Sequence, residues 1–328
     1  MLKLFPTLDK RRIGATSFLM KWKNCGAFIA TVSCLNAQTG EAPSPSSQVQ
    51  ADQIRALLED TNGDLTKLAK GIMGSENTNR FFYFPTRDEP ATPAKWGFTY
   101  EDVDFASTDG TKLHGWFMPA RGKTAKGTIV FSHGNAGSIG HHLGFVMWLV
   151  ESRYNVFMYD YRGFGKSEGA VDRRGMVEDV ESAFDYVTSR PDVDSRKIIS
   201  YGHSLGGAKS VTALAEKPVK DLKAIIIDGT FASYQAMARI VGGQFGANLI
   251  TDEFSPKDFI AKITRTPLLV VHGDLDEVVP FSQAKELFGL ANEPKTMFEV
   301  KGGHHGDSLA RDEGAYRKRV LQWLDQLM

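Results

Sequence analysis

Cysteine is almost missing from this chain of 328 residues: there are two, Cys25 and Cys34. Both lie near the N-terminus, so everything beyond residue 34 is free of thiols, and neither a disulfide framework nor a cysteine-based metal site is open to it. Charge of one sign is missing as well. Lys and Arg together number 39, Asp and Glu 39, for a formal net charge of zero, and no basic stripe stands out. A nucleic-acid partner has no support from that balance. There is no internal repeat. The apolar run from Cys25 to Leu35 is too short to span a bilayer.

That short run has another reading. Lys21 and Lys23 precede it and the polar Asn36-Ala37-Gln38 follows, the order of a secretory signal. Counted from Met20 it has ordinary signal proportions, so translation is expected to begin either at Met1 or at Met20. Lys10-Arg11-Arg12 hints at twin-arginine export but is poorly followed. Thr31-Val32-Ser33-Cys34 resembles a lipoprotein cleavage box with Thr31 where Leu is usual, and the other cut follows Ala37. Residues 1–37 are therefore expected to direct export, to a periplasmic, secreted or lipoprotein-anchored location, with membrane association through a lipidated Cys34 as one form. The competing reading is an apolar N-terminal helix packed on the domain. Residues 38–80 read as a Pro/Ser linker, Glu41 to Ser47, and short helices at Ala51 to Glu59 and Leu65 to Ile72.

The remaining chain, 81–328, is long enough to bury one large core. Arg80 to Pro85 is an aromatic run expected along a sheet edge. Tyr100 to Ala106 and Leu113 to Met118 flank Asp109-Gly110, the chemistry of an antiparallel hairpin. Thr128 to Ser132 is apolar without alternation, as suits a strand covered on both faces. From there strand and helix alternate: helix His142 to Ser152, strand Val156 to Asp160, helix Met176 to Ser189, strand Lys197 to Tyr201, helix Ser204 to Ala215. Later strands are expected at Ala224 to Asp228, Leu268 to His272 and Met297 to Val300, with helices at Pro280 to Leu290 and Tyr316 to Leu327. A leading hairpin followed by βαβ units gives a doubly wound, mostly parallel sheet, whose ligands bind at the carboxyl ends of the strands.

Every chemically suggestive motif sits at such an end. Gly202-His203-Ser204-Leu205-Gly206, between strand and helix, is the context in which G-x-S-x-G forms a nucleophile elbow. Small neighbours are required because the serine occupies a strained turn. His133-Gly134-Asn135-Ala136-Gly137 follows the strand ending at Ser132. The amide of Asn135, with Ala136 as the alternative, would pair with the Leu205 amide as an oxyanion hole. Asp274 and Asp276 both follow the strand ending at His272. Asp276 is preferred as the carboxylate that orients an imidazole, and Asp274 reads as a turn residue. Val300 leads to Lys301-Gly302-Gly303-His304-His305-Gly306-Asp307. Histidine is suited to a general base by its pKa near neutrality; His305 is preferred and His304 is the alternative base. Paired histidines also suggest a metal, but no ligand cluster accompanies them, so neither metal nor cofactor is assigned. The order Ser204, Asp276, His305 matches the chain order of one known triad arrangement.

With these residues in view, the chain resembles the α/β-hydrolase superfamily from about Phe81 to Met328. It is most similar to a small-lidded branch with H-G-N-A-G (His133 to Gly137), D-Y-R-G-F-G-x-S-x-G (Asp160 to Gly169), G-H-S-L-G-G (Gly202 to Gly207) and H-G-x-x-D-x-x-V (His272 to Val279). The resemblance implies an α/β-hydrolase fold with a short lid, here about 231–263, and a cofactor-free Ser204 acyl-enzyme route on small-molecule esters or thioesters. Its relatives include thioesterases, lipid esterases and peptidases, so the substrate does not carry over. The His304-His305 pair departs from the single histidine followed by Asn that is usual there. Asp160 to Ser167 is expected to brace the loops. A short lid favours an open site and small or single-chain acyl groups. The competing functions are a peptidase of the same fold and a non-catalytic binding protein built on it.

Overall fold

The computed structural model describes residues 82–122 and 124–328. The export segment, Cys34, and the linker with its short helices lie outside the described residues.

The chain enters as a two-residue strand β1 (Phe84–Pro85), followed by the hairpin β2 (Glu101–Ala106) and β3 (Lys112–Met118). Then come β4 (Gly127–Ser132), β5 (Ala136–Gly137), the short helix α1 (Met147–Glu151), β6 (Tyr154–Tyr159), α2 (Arg173–Ser189), β7 (Ile198–His203) and α3 (Leu205–Glu216). Finally β8 (Ala224–Asp228), α4 (Tyr234–Leu249), β9 (Leu268–Gly273), α5 (Phe281–Leu290), β10 (Lys295–Val300) and α6 (Arg311–Asp325) complete it. Eight strands form one sheet in the order β10-β9-β8-β7-β4-β6-β3-β2. Only β3 runs counter to its neighbours; the pairs from β6 through β4 to β10 are all parallel.

The expectation of burial on both faces is met strand by strand, because successive side chains point to opposite sides. Val130, Phe157, Ile198, Ile225, Ile227 and Val270 pack in one core with residues of α2, α3 and α5. Ile129, Phe131, Val156, Ile199, Ile226 and Val271 pack in a second core with α1 and α6. A fully buried Ile or Val in such a layer contributes roughly 1.5–3 kcal/mol. That is why these strands carry no polar face.

Two local expectations are corrected. The helix read over His142 to Ser152 is broken: short 3-10 turns occupy Ile139–His141 and Leu143–Phe145, and only Met147–Glu151 is α-helical. His142 Nδ1 hydrogen-bonds the Ser138 carbonyl at 3.0 Å, which tightens the chain before a regular helix can start. The aromatic run does not border the main sheet. Instead β1 pairs in parallel with β5, Phe84 opposite Ala136 and Pro85 opposite Gly137. The last helix, by contrast, is met: its hydrogen-bonded turns start at Arg311, but Asp312, Glu313 and Gly314 are left-handed, so it is regular only beyond them, where Tyr316 to Leu327 was expected.

Candidate functional site

The elbow shows why its residues are small. Ser204 has φ 53° and ψ −114°, a conformation that costs a non-glycine residue on the order of 1–3 kcal/mol. Its amide donates to the Asp228 carbonyl at the end of β8, 2.8 Å, which fixes the turn against the neighbouring strand. A Cβ on Gly202 would overlap the Gly207 amide, and one on Gly206 would overlap the Ser132 carbonyl oxygen. Helix α3 therefore lies against the ends of β4 and β7, and its first residue, Leu205, presents the helix N-terminus beside Ser204. Unpaired amides and the helix dipole favour negative charge there.

Asp276 is buried and loaded on both oxygens. Its Oδ1 accepts from the amides of Val278 (2.9 Å) and Val279 (2.8 Å). Its Oδ2 lies 2.8 Å from His305 Nδ1 and 3.3 Å from His272 Nε2. The fully buried His272 shares its Nε2 hydrogen between the Val279 carbonyl at 2.7 Å and Asp276 Oδ2 at 3.3 Å, so it stands behind the carboxylate as part of the same turn. Burial alone would raise the Asp276 pKa, but the hydrogen bonds from His272, His305 and the Val279 amide outweigh it and hold the group well below the usual carboxylate range. An ionised Asp276 accepts a hydrogen bond from the Nδ1–H of His305, which leaves Nε2 with its lone pair.

The adjacent histidine goes elsewhere. His304 Nδ1 meets Glu277 Oε2 at 2.9 Å in an exposed pair, and the hydrogen bond to Glu277 raises its pKa. The structure thus brings His305, and not the alternative His304, to Asp276. Asp274 accepts from the Gly302 amide at 2.6 Å, the turn contact expected of it. Among the described residues no group of three His, Cys, Asp or Glu is placed to hold a metal ion.

The His305 ring lies over Gly229, the residue after Asp228: a Cβ there would lie 3.3 Å from it. No hydrogen bond joins Ser204 Oγ to His305 among the described residues, an arrangement common in sites without substrate. Across from them, the loop His133 to Gly137 is gripped from both sides. The Asn135 side chain donates to the Phe82 carbonyl at 2.5 Å, and the Phe84 amide donates to the Asn135 carbonyl at 3.1 Å. Buried Asp160 accepts from the Ile139 amide at 2.9 Å and faces His133 Nε2 at 3.8 Å. Arg162 is tied to Asp179 (2.8 Å) and Asp109 (2.8 Å), so the Asp160 to Ser167 stretch does brace the loops. Sequence reading missed the strap 82–86, because its partner strand has two residues and no pattern. It also assigned nothing to His142, His203 and His272.

The segment after β8 has buried ends and an exposed middle. Tyr234 and Met237 join the core, whereas Ile240 and Phe245 are exposed. Helix α4 loses helical geometry at Gly242 and Gly243.

A mostly parallel sheet with a nucleophile-elbow serine, a carboxylate and a histidine at three strand ends defines the architecture of an α/β hydrolase. The comparisons agree: this chain belongs to the α/β-hydrolase superfamily. Residues 123–256 match the family described as "Serine aminopeptidase, S33". The YfhR protein of Escherichia coli O157:H7 is 37% identical over 250 residues, 74% of this chain and 86% of that one. The α/β hydrolase domain-containing protein WAV2 of Arabidopsis thaliana is 33% identical over 259 residues, 74% of this chain and 83% of its own. Among solved structures, the Pyrococcus furiosus esterase Pf2001 superposes with a TM-score of 0.66 at 19% identity, over 75% of this chain and 98% of that one. That likeness carries the fold.

Proposed function

We propose that this protein is a serine hydrolase that cleaves carboxylic esters or thioesters through an acyl-enzyme on Ser204. The observation that carries the reading is the 2.8 Å contact between His305 Nδ1 and Asp276 Oδ2, on a carboxylate whose other oxygen is held by two amides. That pairing orients an imidazole with Nε2 free to take a proton. In the reaction His305 removes the Ser204 hydroxyl proton as Oγ attacks the substrate carbonyl carbon. The oxyanion is received by the Leu205 and Asn135 amides. Collapse expels the alcohol or thiol, protonated by His305. Water, deprotonated by the same histidine, then attacks the acyl-enzyme and releases the acid. The esterase among the structural neighbours supports the substrate class, and the short segment 231–263 supports small or single-chain acyl groups.

The test is hydrolysis of p-nitrophenyl esters from acetate to palmitate by the full chain and by Ser204→Ala. Loss of about 10⁴-fold or more in kcat/KM in the variant is expected, together with fluorophosphonate labelling of Ser204. Undiminished turnover in the variant would overturn the mechanism, and poor use of short esters beside efficient long-chain hydrolysis would overturn the chain-length reading. A peptidase activity is favoured by one observation, the name of the matching family; aminoacyl p-nitroanilides test it directly. We further propose export, from the N-terminal pattern alone, which N-terminal sequencing of the mature protein checks.

A further inference from the structure

Asp276 fixes one edge of the base and leaves its tilt open. Its Oδ2 accepts from His305 Nδ1 at 2.8 Å. One hydrogen bond holds a point on the ring but not its plane, and the χ2 torsion of histidine is broad. Tilting the plane displaces Nε2, which lies on the far side of the ring from the chain. Nε2 is the atom that must meet the Ser204 hydroxyl, and a misplacement of about 1 Å can cost about a hundredfold in rate. A second contact is needed to set the tilt.

The ring of His203, the residue before Ser204, supplies one. It lies against the His305 ring, with centroids 5.0 Å apart and planes at 42°, a separation at which aromatic rings attract one another. Gly229 lies close to both: a Cβ there would be 3.3 Å from the His305 ring and 3.5 Å from His203 Cε1. Phe145 packs on the His203 ring in turn, with centroids 4.2 Å apart. His203 is buried, so its ring has little room to move away.

The orientation of His203 comes from Asp228. Its Nδ1 faces Asp228 Oδ2 at 3.6 Å, and the Tyr201 hydroxyl donates to the same oxygen at 3.2 Å. The Asp228 carbonyl accepts the Ser204 amide at 2.8 Å. One residue therefore anchors the turn of the nucleophile through its backbone and the ring beside the base through its side chain. Burial, the largest influence on His203, outweighs the nearby Asp228 and Asp276 carboxylates and holds its pKa below the ordinary histidine value. An uncharged ring, and not a second cation, thus faces His305 when it takes up the Ser204 proton.

We infer that His203 is a positioning residue for the base: its ring, set by Asp228 and Phe145, holds the His305 imidazole at the tilt that aims Nε2 at Ser204. The inference rests on the serine-hydrolase reading and adds a residue to it; His203 exchanges no proton in the reaction.

Turnover of p-nitrophenyl butyrate per active site tests it, with sites counted by fluorophosphonate labelling carried to completion. His203→Ala removes the ring and should lower kcat about tenfold or more with KM within about twofold. His203→Phe returns a ring without nitrogens and should restore kcat to within about threefold of the unmodified chain. Phe145→Ala removes the ring that packs on His203 and should cost about threefold in kcat; it carries the test should His203→Ala fail to fold. In a His305→Gln background either alanine substitution should cost nothing further, because its effect runs through the missing ring. An unchanged kcat per site in the alanine variants would overturn the inference. So would a loss that His203→Phe does not restore, or one that persists without His305 and so belongs to the Ser204 turn. Each of these outcomes leaves the Ser204 mechanism standing. An unmodified chain with neither turnover nor labelling would remove that mechanism and the inference together.

Discussion

Two adjacent histidines make two histidine–carboxylate pairs of almost equal length and opposite character. His305 reaches Asp276 at 2.8 Å and His304 reaches Glu277 at 2.9 Å. The first carboxylate is buried, takes two backbone amides on its other oxygen and is backed by His272. The second is on the surface, with the side chains of His304 and Glu277 48% and 56% exposed. A hydrogen-bond length therefore says little about what a pair can do. In the buried pair the imidazole has one orientation and one tautomer, while in the exposed pair water competes for every contact and the interaction adds little.

The comparison breaks most visibly in activity. His305→Gln and Asp276→Asn should each lower kcat/KM on a p-nitrophenyl ester by about 10³–10⁴-fold, whereas His304→Gln and Glu277→Gln should stay within about twofold. Equal losses from both histidines would erase the distinction. A smaller effect separates the pairs in acid. The Asp276 pKa is lower folded than unfolded, so its stabilisation is present above the unfolded value near 4 and is lost as pH falls toward the folded one. The urea midpoint should drop on going from pH 5 to pH 3, and Asp276→Asn should flatten that drop by on the order of 1 kcal/mol; Glu277→Gln should leave it as it is.

His272→Phe sharpens the comparison by stripping the backing from Asp276 alone. With the Val279 carbonyl contact gone as well, kcat should fall about tenfold with KM little changed, the equivalent of about 1.4 kcal/mol. A change in KM alone would mean that His272 shapes the pocket rather than the carboxylate. The smallest effect is spectroscopic. The His304 pKa is raised by Glu277, so its NMR titration midpoint should lie above the ordinary value near 6.5 and return toward it in Glu277→Gln.

Much of the frame was legible because its signals are local. Runs such as Ile225-Ile226-Ile227 and Leu268 to Val271 have no polar face, which is what a strand between two cores requires. The elbow was legible because Gly202 and Gly206 answer clashes with neighbours a few residues away and with β4. The broken helix at 139–151 was not, since the path there is set by how the loop is held to Asp160 and to the strap at Phe84.

By itself the sequence determined the strand-end positions of Ser204, Asp276 and the two histidines, because apolar runs fix where strands stop and glycines fix where the chain can turn. Only the tertiary structure decided between His304 and His305. Neighbouring residues in a turn point in different directions, and the carboxylate that selects one of them comes from a loop 29 residues earlier, set in place by the packing of β9 beside β10.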